Sequence, residues 1–273
     1  MFGLVMGFKD YTISSGIKGI FTSEWVGLKY FKEFVTDYKF GKLVRNTVAL
    51  SVLKLIFTFP LPILFALMVN EIKNLKFKKL LQTCSYLPHF ISWVIISSIS
   101  YQFLSQSGII NTLLKNMHVI DKPIKFLTDA SKFWGLAVSL DIWKEMGWWT
   151  IIFLAAIVGI SQDYYEAAQI DGAGKFKQML HVTLPAIMPT IIILLIMNVG
   201  NIMNVGFEKI ILMYSPATYE TADVISTYVY RRGILGSQFS FSASVGLFNS
   251  VINFALLFTV NKISNRVSEI SLW

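Results

Sequence analysis

The stretch SQDYYEAAQIDGAGKFKQMLHVTLPAIMPT, residues 161–190, decides the fold of this 273-residue chain. Ser161 or Asp163 is a suitable N-cap, because a short side-chain oxygen can accept from the first free backbone N–H groups of a helix. Residues 164 to 170 are helix-compatible and contain no Gly or Pro. The first part of the stretch therefore predicts a short helix.

The second part of the stretch predicts a turn followed by another helix. Gly172 and Gly174 interrupt the first helix, and a second short helix is expected from about Lys175 to Thr183. Pro185 follows at the start of a long apolar run, where its missing N–H costs little. The resulting helix–turn–helix presents small residues that allow another protein to approach closely, namely Ala167, Ala168 and Ala173. A structured loop without a partner is the alternative.

Long apolar runs lie on both sides of this stretch. A spanning helix needs ~20 mostly apolar residues, and five segments qualify, at about 46–69, 84–104, 134–160, 184–205 and 243–260. Only helices satisfy their own backbone hydrogen bonds in lipid without neighbouring strands, and the alternation of transmembrane β-strands is missing. The sequence predicts an all-α, polytopic membrane helical bundle with about five transmembrane helices.

Composition and charge exclude several classes of protein. Hydrophobic residues make up 54% of the chain and charged residues 15%, against about 25% charged in soluble domains. The net charge of +8 does not predict nucleic-acid binding, because the cations lie between apolar blocks instead of along one face. One cysteine and three scattered histidines predict no metal site, no cofactor and no catalytic residue. Residues 172–175, GAGK, lack the remaining residues of a phosphate-binding loop.

Lysines place the loops relative to the membrane. Residues 70–80 contain four lysines and are expected inside the cell by the positive-inside rule. Residues 161–183 and the C-terminal tail are then also inside, and residues 1–42, 105–133 and 206–242 lie outside. Arg231 and Arg232 in the last of these segments run against the rule.

The spacing of residues in the central stretch resembles a known motif. Glu166-Ala167-Ala168 is followed after three residues by Gly172 and, after nine more, by Val182-Thr183-Leu184-Pro185. This resembles the EAA loop of binding-protein-dependent ABC importer permeases, with Val182 where the family has Ile. The extended form of the motif, Asp171-Gly172-Ala173, is also present.

The resemblance implies a coupling role for this cytoplasmic loop. In the family the EAA loop forms a coupling helix that sits in a cleft of the ATPase subunit. The residues that would dock on the ATPase here are Glu166, Ala167, Ala168, Asp171, Gly172 and Ala173. Stretches at 86–95, 142–157, 201–210 and 245–254 resemble the carbohydrate branch of the family, and within it the permeases for polysaccharide fragments or aldouronates.

The resemblance also implies an assembly and a domain division. A second permease (forming a heterodimer), a cytoplasmic ABC ATPase dimer, an extracytoplasmic solute-binding protein, a carbohydrate substrate and membrane lipid are the implied partners, in a bacterial inner membrane. Such permeases normally have six spans, and the resemblance leads us to expect that this sequence lacks the first. Residues 1–42 are therefore expected to form an extracytoplasmic segment with a remnant of a first helix, and residues 43–273 the transmembrane domain. A secondary, ion-coupled transporter and a non-transporting scaffold are the alternatives.

Polar residues within the predicted spans are candidates for the translocation path, because they tend to face a bundle interior or a wet cavity. In the fourth span three asparagines fall within a ~120° arc at helical spacing, continued by Glu208: these are Asn198, Asn201 and Asn204. Asn249 and Asn253 are one turn apart in the fifth. Amides can contact sugar hydroxyls or can tie helices together, and both roles stay open. Asp141, Lys144 and Glu145 in the third span predict a wet, amphipathic approach, with a buried proton relay as the alternative.

Overall fold

A computed structural model describes residues 2–272, and every regular element within that range is helical. The residues fall into two compact units, each built from three segments. Unit 1 contains Met1–Val52, Trp93–Ala137 and Ile202–Ala255, and unit 2 contains Leu53–Ser92, Val138–Asn201 and Leu256–Trp273. The end residues of the two predicted domains, Met1 and Trp273, lie outside the described residues.

The helices of the first half run in chain order as α1 (Phe2–Met6), α2 (Gly16–Thr22), α3 (Lys29–Val35), α4 (Phe40–Thr58), α5 (Pro60–Asn70), α6 (Leu75–Tyr86), α7 (Trp93–Leu104) and α8 (Ile109–Asn116). Those of the second half are α9 (Phe133–Val158), α10 (Gln162–Ile170), α11 (Lys175–Gln178), α12 (Leu184–Ala186), α13 (Met188–Gly200), α14 (Phe207–Met213), α15 (Tyr219–Ala222), α16 (Ile225–Val229) and α17 (Phe239–Ser268). Short 3₁₀ turns occur at Ile13–Ser15, Leu87–Phe90 and Ala130–Lys132, and π-helical turns at Met179–Thr183 and Tyr230–Leu235.

The helical bundle predicted from the sequence is confirmed, but only some spans are continuous. The stretch Phe40–Asn70 and helix α17 are each long and apolar enough to cross a membrane. Three further spans qualify only if two bent helices are taken together as one span. One of these pairs bends by 59° between Lys175–Ala186 and Met188–Gly200, directly after Pro185 in α12.

The core of unit 2 is formed where α5 packs on α9. Ile63, Ala66 and Leu67 of α5 belong to one buried cluster with Phe153 and Leu154 of α9. Helices α6 and α9 also approach closely, because a Cβ at Gly147 would collide with the backbone carbonyl of Ser85. The small residue at position 147 therefore sets the distance between two membrane helices.

The core of unit 1 joins the N-terminal segment to the helices after residue 202. Phe34 is buried and packs edge-on against Phe40, Phe241 and Phe248, with ring centroids 5.1 to 6.1 Å apart.

The two arginines that ran against the positive-inside rule are both paired within unit 1. Arg231 Nη2 lies 2.6 Å from Asp223 Oδ2, and Arg232 contacts Glu33 and, at 3.2 Å, Asp37. The positive-inside rule counts Lys and Arg and not net charge, so these two paired arginines still run against the orientation derived from the lysines.

Candidate functional site

The segment predicted to dock on an ATPase begins at a capped helix. Ser161 has an extended backbone and its Oγ accepts a hydrogen bond from the Asp163 N–H at 3.3 Å, so Ser161 is the N-cap of α10. Asp163 lies in the first turn, where a negative charge favours the positive end of the helix dipole. The predicted helix from residue 164 to 170 is thus confirmed, beginning two residues earlier.

Helix α10 ends in a Schellman motif that requires a glycine. The Ala173 N–H donates to the Ala168 carbonyl at 2.8 Å, and the Gly172 N–H donates to the Gln169 carbonyl at 3.0 Å. These two bonds define the motif, whose C′ residue takes a left-handed conformation. Gly172 has φ +75°, and a Cβ there would meet no atom of this chain within 4 Å. The requirement for glycine within this chain is therefore conformational instead of steric.

The elbow formed by α10 and its turn, residues 161–174, is exposed. No residue of α10 is buried, and of the predicted docking residues Glu166, Ala167, Asp171 and Gly172 are exposed while Ala168 and Ala173 are partly covered. Two large apolar side chains on or beside the elbow are unusually open, Ile170 at 87% and Phe176 at 68% exposure. A short surface helix with small residues and exposed apolar side chains fits a protein partner.

Two contacts hold the elbow to the rest of unit 2, and a third holds Lys175, the residue that follows it. Tyr165 OH lies 2.9 Å from Thr183 Oγ1, and the Gln178 amide donates to the Ala173 carbonyl at 2.7 Å. Lys175 Nζ lies 3.6 Å from Glu71 Oε2 in the lysine-rich loop after α5. Gln178 is almost fully buried. These contacts tie the elbow both to the helical turns after it and to a neighbouring loop.

The sequence predicted that the asparagines of the fourth span and Glu208 lie on one continuous helix face, and this prediction is wrong. Helix α13 ends at Gly200 with Asn201 as its C-cap, so Asn204 lies in the irregular segment that follows and Glu208 on the separate helix α14. Gly206 is the N-cap of α14 and adopts φ +88°, so a new helix begins there in place of a continued one. Within unit 2, Asn198 donates to the Leu194 carbonyl at 3.1 Å and Asn201 is exposed.

The unit 1 asparagines differ from one another in their contacts. Asn249 and Asn253 both lie on α17, as the sequence predicted. Asn253 Oδ1 accepts the Met203 N–H at 3.2 Å and so ties a helix to a turn. Asn249 Oδ1 is buried and accepts no hydrogen bond within residues 2–272, and Asn204 is exposed.

Two of the three charged residues of the third span are buried and the third, Glu145, is partly covered, so the predicted wet approach is wrong. Asp141 and Lys144 are 4% and 7% exposed. Lys144 Nζ donates to the carbonyls of His89 and Ile91 at 2.5 and 2.6 Å, at the end of the 3₁₀ turn after α6. The lysine satisfies carbonyls that a broken membrane helix would leave unpaired.

Glu145 and His89 form a second polar contact at the same break. His89 Nδ1 lies 2.9 Å from Glu145 Oε2, and the His89 ring stacks on Trp148 at 4.3 Å. Sequence reasoning missed this cluster, since nothing in the spacing relates residue 89 to residue 145. In unit 1 it also missed Lys209, which is buried and lies 5.7 Å from the Trp93 ring.

A family model for the binding-protein-dependent transport system inner membrane component matches residues 44–269 of the chain. The Protein LplB of Bacillus subtilis (strain 168) is 44% identical over 274 residues, covering 100% of this chain and 85% of the relative. The polygalacturonan/rhamnogalacturonan transport system permease protein YteP of the same organism is 42% identical, covering 98% of this chain and 83% of the relative.

Two solved structures are also similar. A bacterial ABC transporter involved in the import of the acidic polysaccharide alginate contains a chain that is 41% identical, with TM-score 0.88 over 97% of this chain and 88% of the other. The same comparison with the bacterial alginate ABC transporter in complex with an alginate pentasaccharide-bound periplasmic protein gives 40% identity and TM-score 0.89, over 99% and 88%.

Proposed function

This chain belongs to the binding-protein-dependent transport system inner membrane components, and from that membership we infer how its residues act in transport. It is a membrane-spanning permease subunit of a sugar ABC importer. It works with a second permease, an ATPase and a solute-binding protein. It is a transporter subunit and not an enzyme, because ATP hydrolysis belongs to the separate ATPase.

We propose that the elbow, residues 161–174, is the contact through which the ATPase moves this subunit. The single observation that carries the proposal is an exposed helix of nine residues, closed at both ends by cap hydrogen bonds and tied back by side chains. The small side chains of Ala167 and Ala168 allow the backbone of a partner to come close. Exposed Ile170 would supply apolar area to be buried.

The ties of the elbow give it a direct mechanical route into the bundle. Tyr165 bonds to Thr183, and the Thr183 segment continues through α12 toward α13. A displacement of α10 is therefore transmitted to a membrane helix through a hydrogen bond and a short helical connection. Gln178 of α11 keeps the turn in place by its bond to the Ala173 carbonyl, so the elbow and α11 move together.

A cross-linking experiment tests this proposal. Ala167→Cys in a Cys84→Ser background, assembled with its partners, is expected to cross-link to the ATPase with a short bifunctional reagent. Lys122→Cys, in a loop predicted on the other side of the membrane, is the matched control and is expected not to cross-link. Absence of an ATPase adduct at position 167, or modification of that cysteine by an impermeant thiol reagent added outside intact cells, would contradict the docking assignment.

We further propose that the substrate is an acidic oligosaccharide. Two of the similar proteins, each at least 41% identical over at least 97% of the chain, are named for polygalacturonan/rhamnogalacturonan or for alginate. A second candidate, a neutral oligosaccharide, is favoured by the more distant arabinooligosaccharide permease AraP of Halalkalibacterium halodurans at 27% identity. We propose that Asn198, Asn201, Asn204 and Asn249 contribute to the path, with Asn253 serving the helix contact described above.

Competition for uptake distinguishes the two substrate classes. Cells or proteoliposomes with the complete transporter would take up a labelled galacturonate oligosaccharide, and unlabelled uronate and neutral oligosaccharides of equal length would compete. We expect the uronate oligosaccharide to inhibit uptake at much lower concentration. Equal inhibition by a neutral arabinose oligosaccharide would favour the second candidate.

A further inference from the structure

The N-terminal part of unit 1 carries an apolar stripe that points away from the protein. Residues 13, 17, 21, 25 and 28 are all large and apolar, and each is at least 61% exposed: these are Ile13, Ile17, Phe21, Trp25 and Leu28. In helix α2 the residues Ile17 and Phe21 lie one turn apart, ~40° apart around the axis. Gly19, on the opposite side of the helix, is buried.

The segment that carries the stripe is held in a fixed shape. The Asp10 N–H donates to the Glu24 carbonyl at 2.9 Å, and the Val26 N–H donates to the Phe8 carbonyl at 2.8 Å. Trp25 stacks on Phe8 with ring centroids 5.6 Å apart. Residues 8–26 therefore form a closed loop, and the exposure of its apolar side chains is a property of a defined fold.

The position of this loop relative to the membrane follows from its contacts with α17. The Tyr11 N–H donates to Ser240 Oγ at 2.9 Å, and Ser244 Oγ donates to the Gly7 carbonyl at 2.7 Å. Both serines lie in the first two turns of α17, a 30-residue candidate span. Such a helix is ~45 Å long, whereas the hydrocarbon layer is ~30 Å thick. When the excess length is divided equally between the two ends of the helix, its first ~5 residues lie in the headgroup layer. The loop, which contacts this end of the helix, then lies in the same layer.

The chemistry of the loop matches that layer. Tryptophan and lysine are the side chains that settle at the boundary between headgroups and acyl chains. Trp25 is on the stripe and Lys18 flanks it on α2, while Thr22 lies farther around the helix. An exposed stripe of this kind on a short amphipathic helix is typical of segments that lie in the plane of a membrane surface.

We propose that Ile13, Ile17, Phe21, Trp25 and Leu28 form an interfacial anchor that rests in the lipid headgroup layer beside the start of α17. In this position lipid covers the apolar side chains of the anchor, which water would otherwise contact. The anchor thereby fixes the depth of the bundle in the bilayer. The proposal requires only that α17 spans the membrane. It does not depend on ATPase docking at the elbow or on the identity of the sugar.

Spin labelling tests the anchor in the assembled transporter, placed in phospholipid nanodiscs. Single cysteines replace Ile17 on the stripe, Thr22 on the other face of α2, and Lys122 in an exposed loop, each in a Cys84→Ser background. We expect the label at position 17 to collide severalfold less often with a water-soluble nickel chelate than the label at 122, and severalfold more often with oxygen. The label at position 22 should resemble that at 122.

Two outcomes would overturn the proposal. Nickel collision at position 17 equal to that at 122 would place the stripe in water. Slow collision with both reagents at position 17 would mean that a protein surface covers it, such as the second permease. Sugar uptake by the labelled transporters is measured in parallel, so that a loss of transport is recorded separately from a failure of the anchor.

Discussion

Replacing Gly172 tests the elbow directly. Glycine at this position is explained either by the backbone conformation of the turn or by the space that the ATPase surface needs, and alanine and asparagine distinguish the two. At φ +75° with open space around its Cα, Gly172→Ala introduces conformational strain but no clash within the chain. A left-handed conformation costs an L-residue with a Cβ ~1–2 kcal/mol. That cost lowers the equilibrium constant for closing the Schellman turn about 5- to 30-fold. Asparagine tolerates the left-handed region better than alanine does.

The assay is sugar uptake per ATP hydrolysed, measured in proteoliposomes that contain the complete transporter. If the conformation is what matters, Gly172→Ala loses coupling by up to the factor given above, and Gly172→Asn loses less although it is larger. If the ATPase surface leaves no room for a side chain at position 172, Gly172→Asn loses more coupling than Gly172→Ala, and Gly172→Trp abolishes it. Normal uptake per ATP in all three variants would refute both the docking assignment and the role of the turn.

The remaining predictions concern stability. Gly147→Ala should destabilise the purified subunit by ~1–3 kcal/mol, since its methyl group meets a backbone carbonyl of α6. Gly135→Ala on the same helix meets nothing and should not lower the melting temperature, because alanine is the better helix former. Lys144→Met removes the donor to the partly buried carbonyls of His89 and Ile91 and should cost ~1–3 kcal/mol in thermal melts, and Lys144→Arg, which keeps a donor, should cost less. Arginine and lysine hydrogen bonds hold the pKa of Glu220 below its usual 4.5. The stabilising contribution is therefore constant above pH 4.5 and is lost as the pH falls through the lowered pKa. The melting-temperature gap between wild type and Glu220→Gln should close in acid, and a gap that widens there would contradict this assignment.

Local signals in the sequence were sufficient for the elbow. An N-cap serine, an acidic residue in the first turn and a glycine after the last turn each act within a few residues. The helix from 162 to 170 and its glycine turn were therefore predictable almost to the residue. Hydropathy likewise located the apolar segments, because bilayer thickness sets their length.

Breaks within the spans were the part that local reasoning handled poorly. The asparagine stripe assumed that one helix continues through residues 198 to 208, although Gly200 and Gly206 were both visible in the sequence. A break at the end of the 3₁₀ turn Leu87–Phe90 is stabilised by Lys144, 53 residues farther along. No spacing rule connects a lysine in one span to carbonyls in another, so this contact had to come from the tertiary structure.

Because the elbow is exposed, its stiffness depends on hydrogen bonds at its ends and along its side chains. Helix α10 buries no residue, so apolar packing cannot hold it, and an isolated helix of nine residues is marginal in water. Its order must come from the caps at both ends and from the bonds of Tyr165 and Gln178. Each such bond contributes only ~0.5–1.5 kcal/mol, so no single one fixes the helix. Contact with the ATPase would bury Ile170 and add the apolar area that α10 lacks within this chain. The elbow is thus expected to reach full rigidity only when it is docked, which is when it must transmit force.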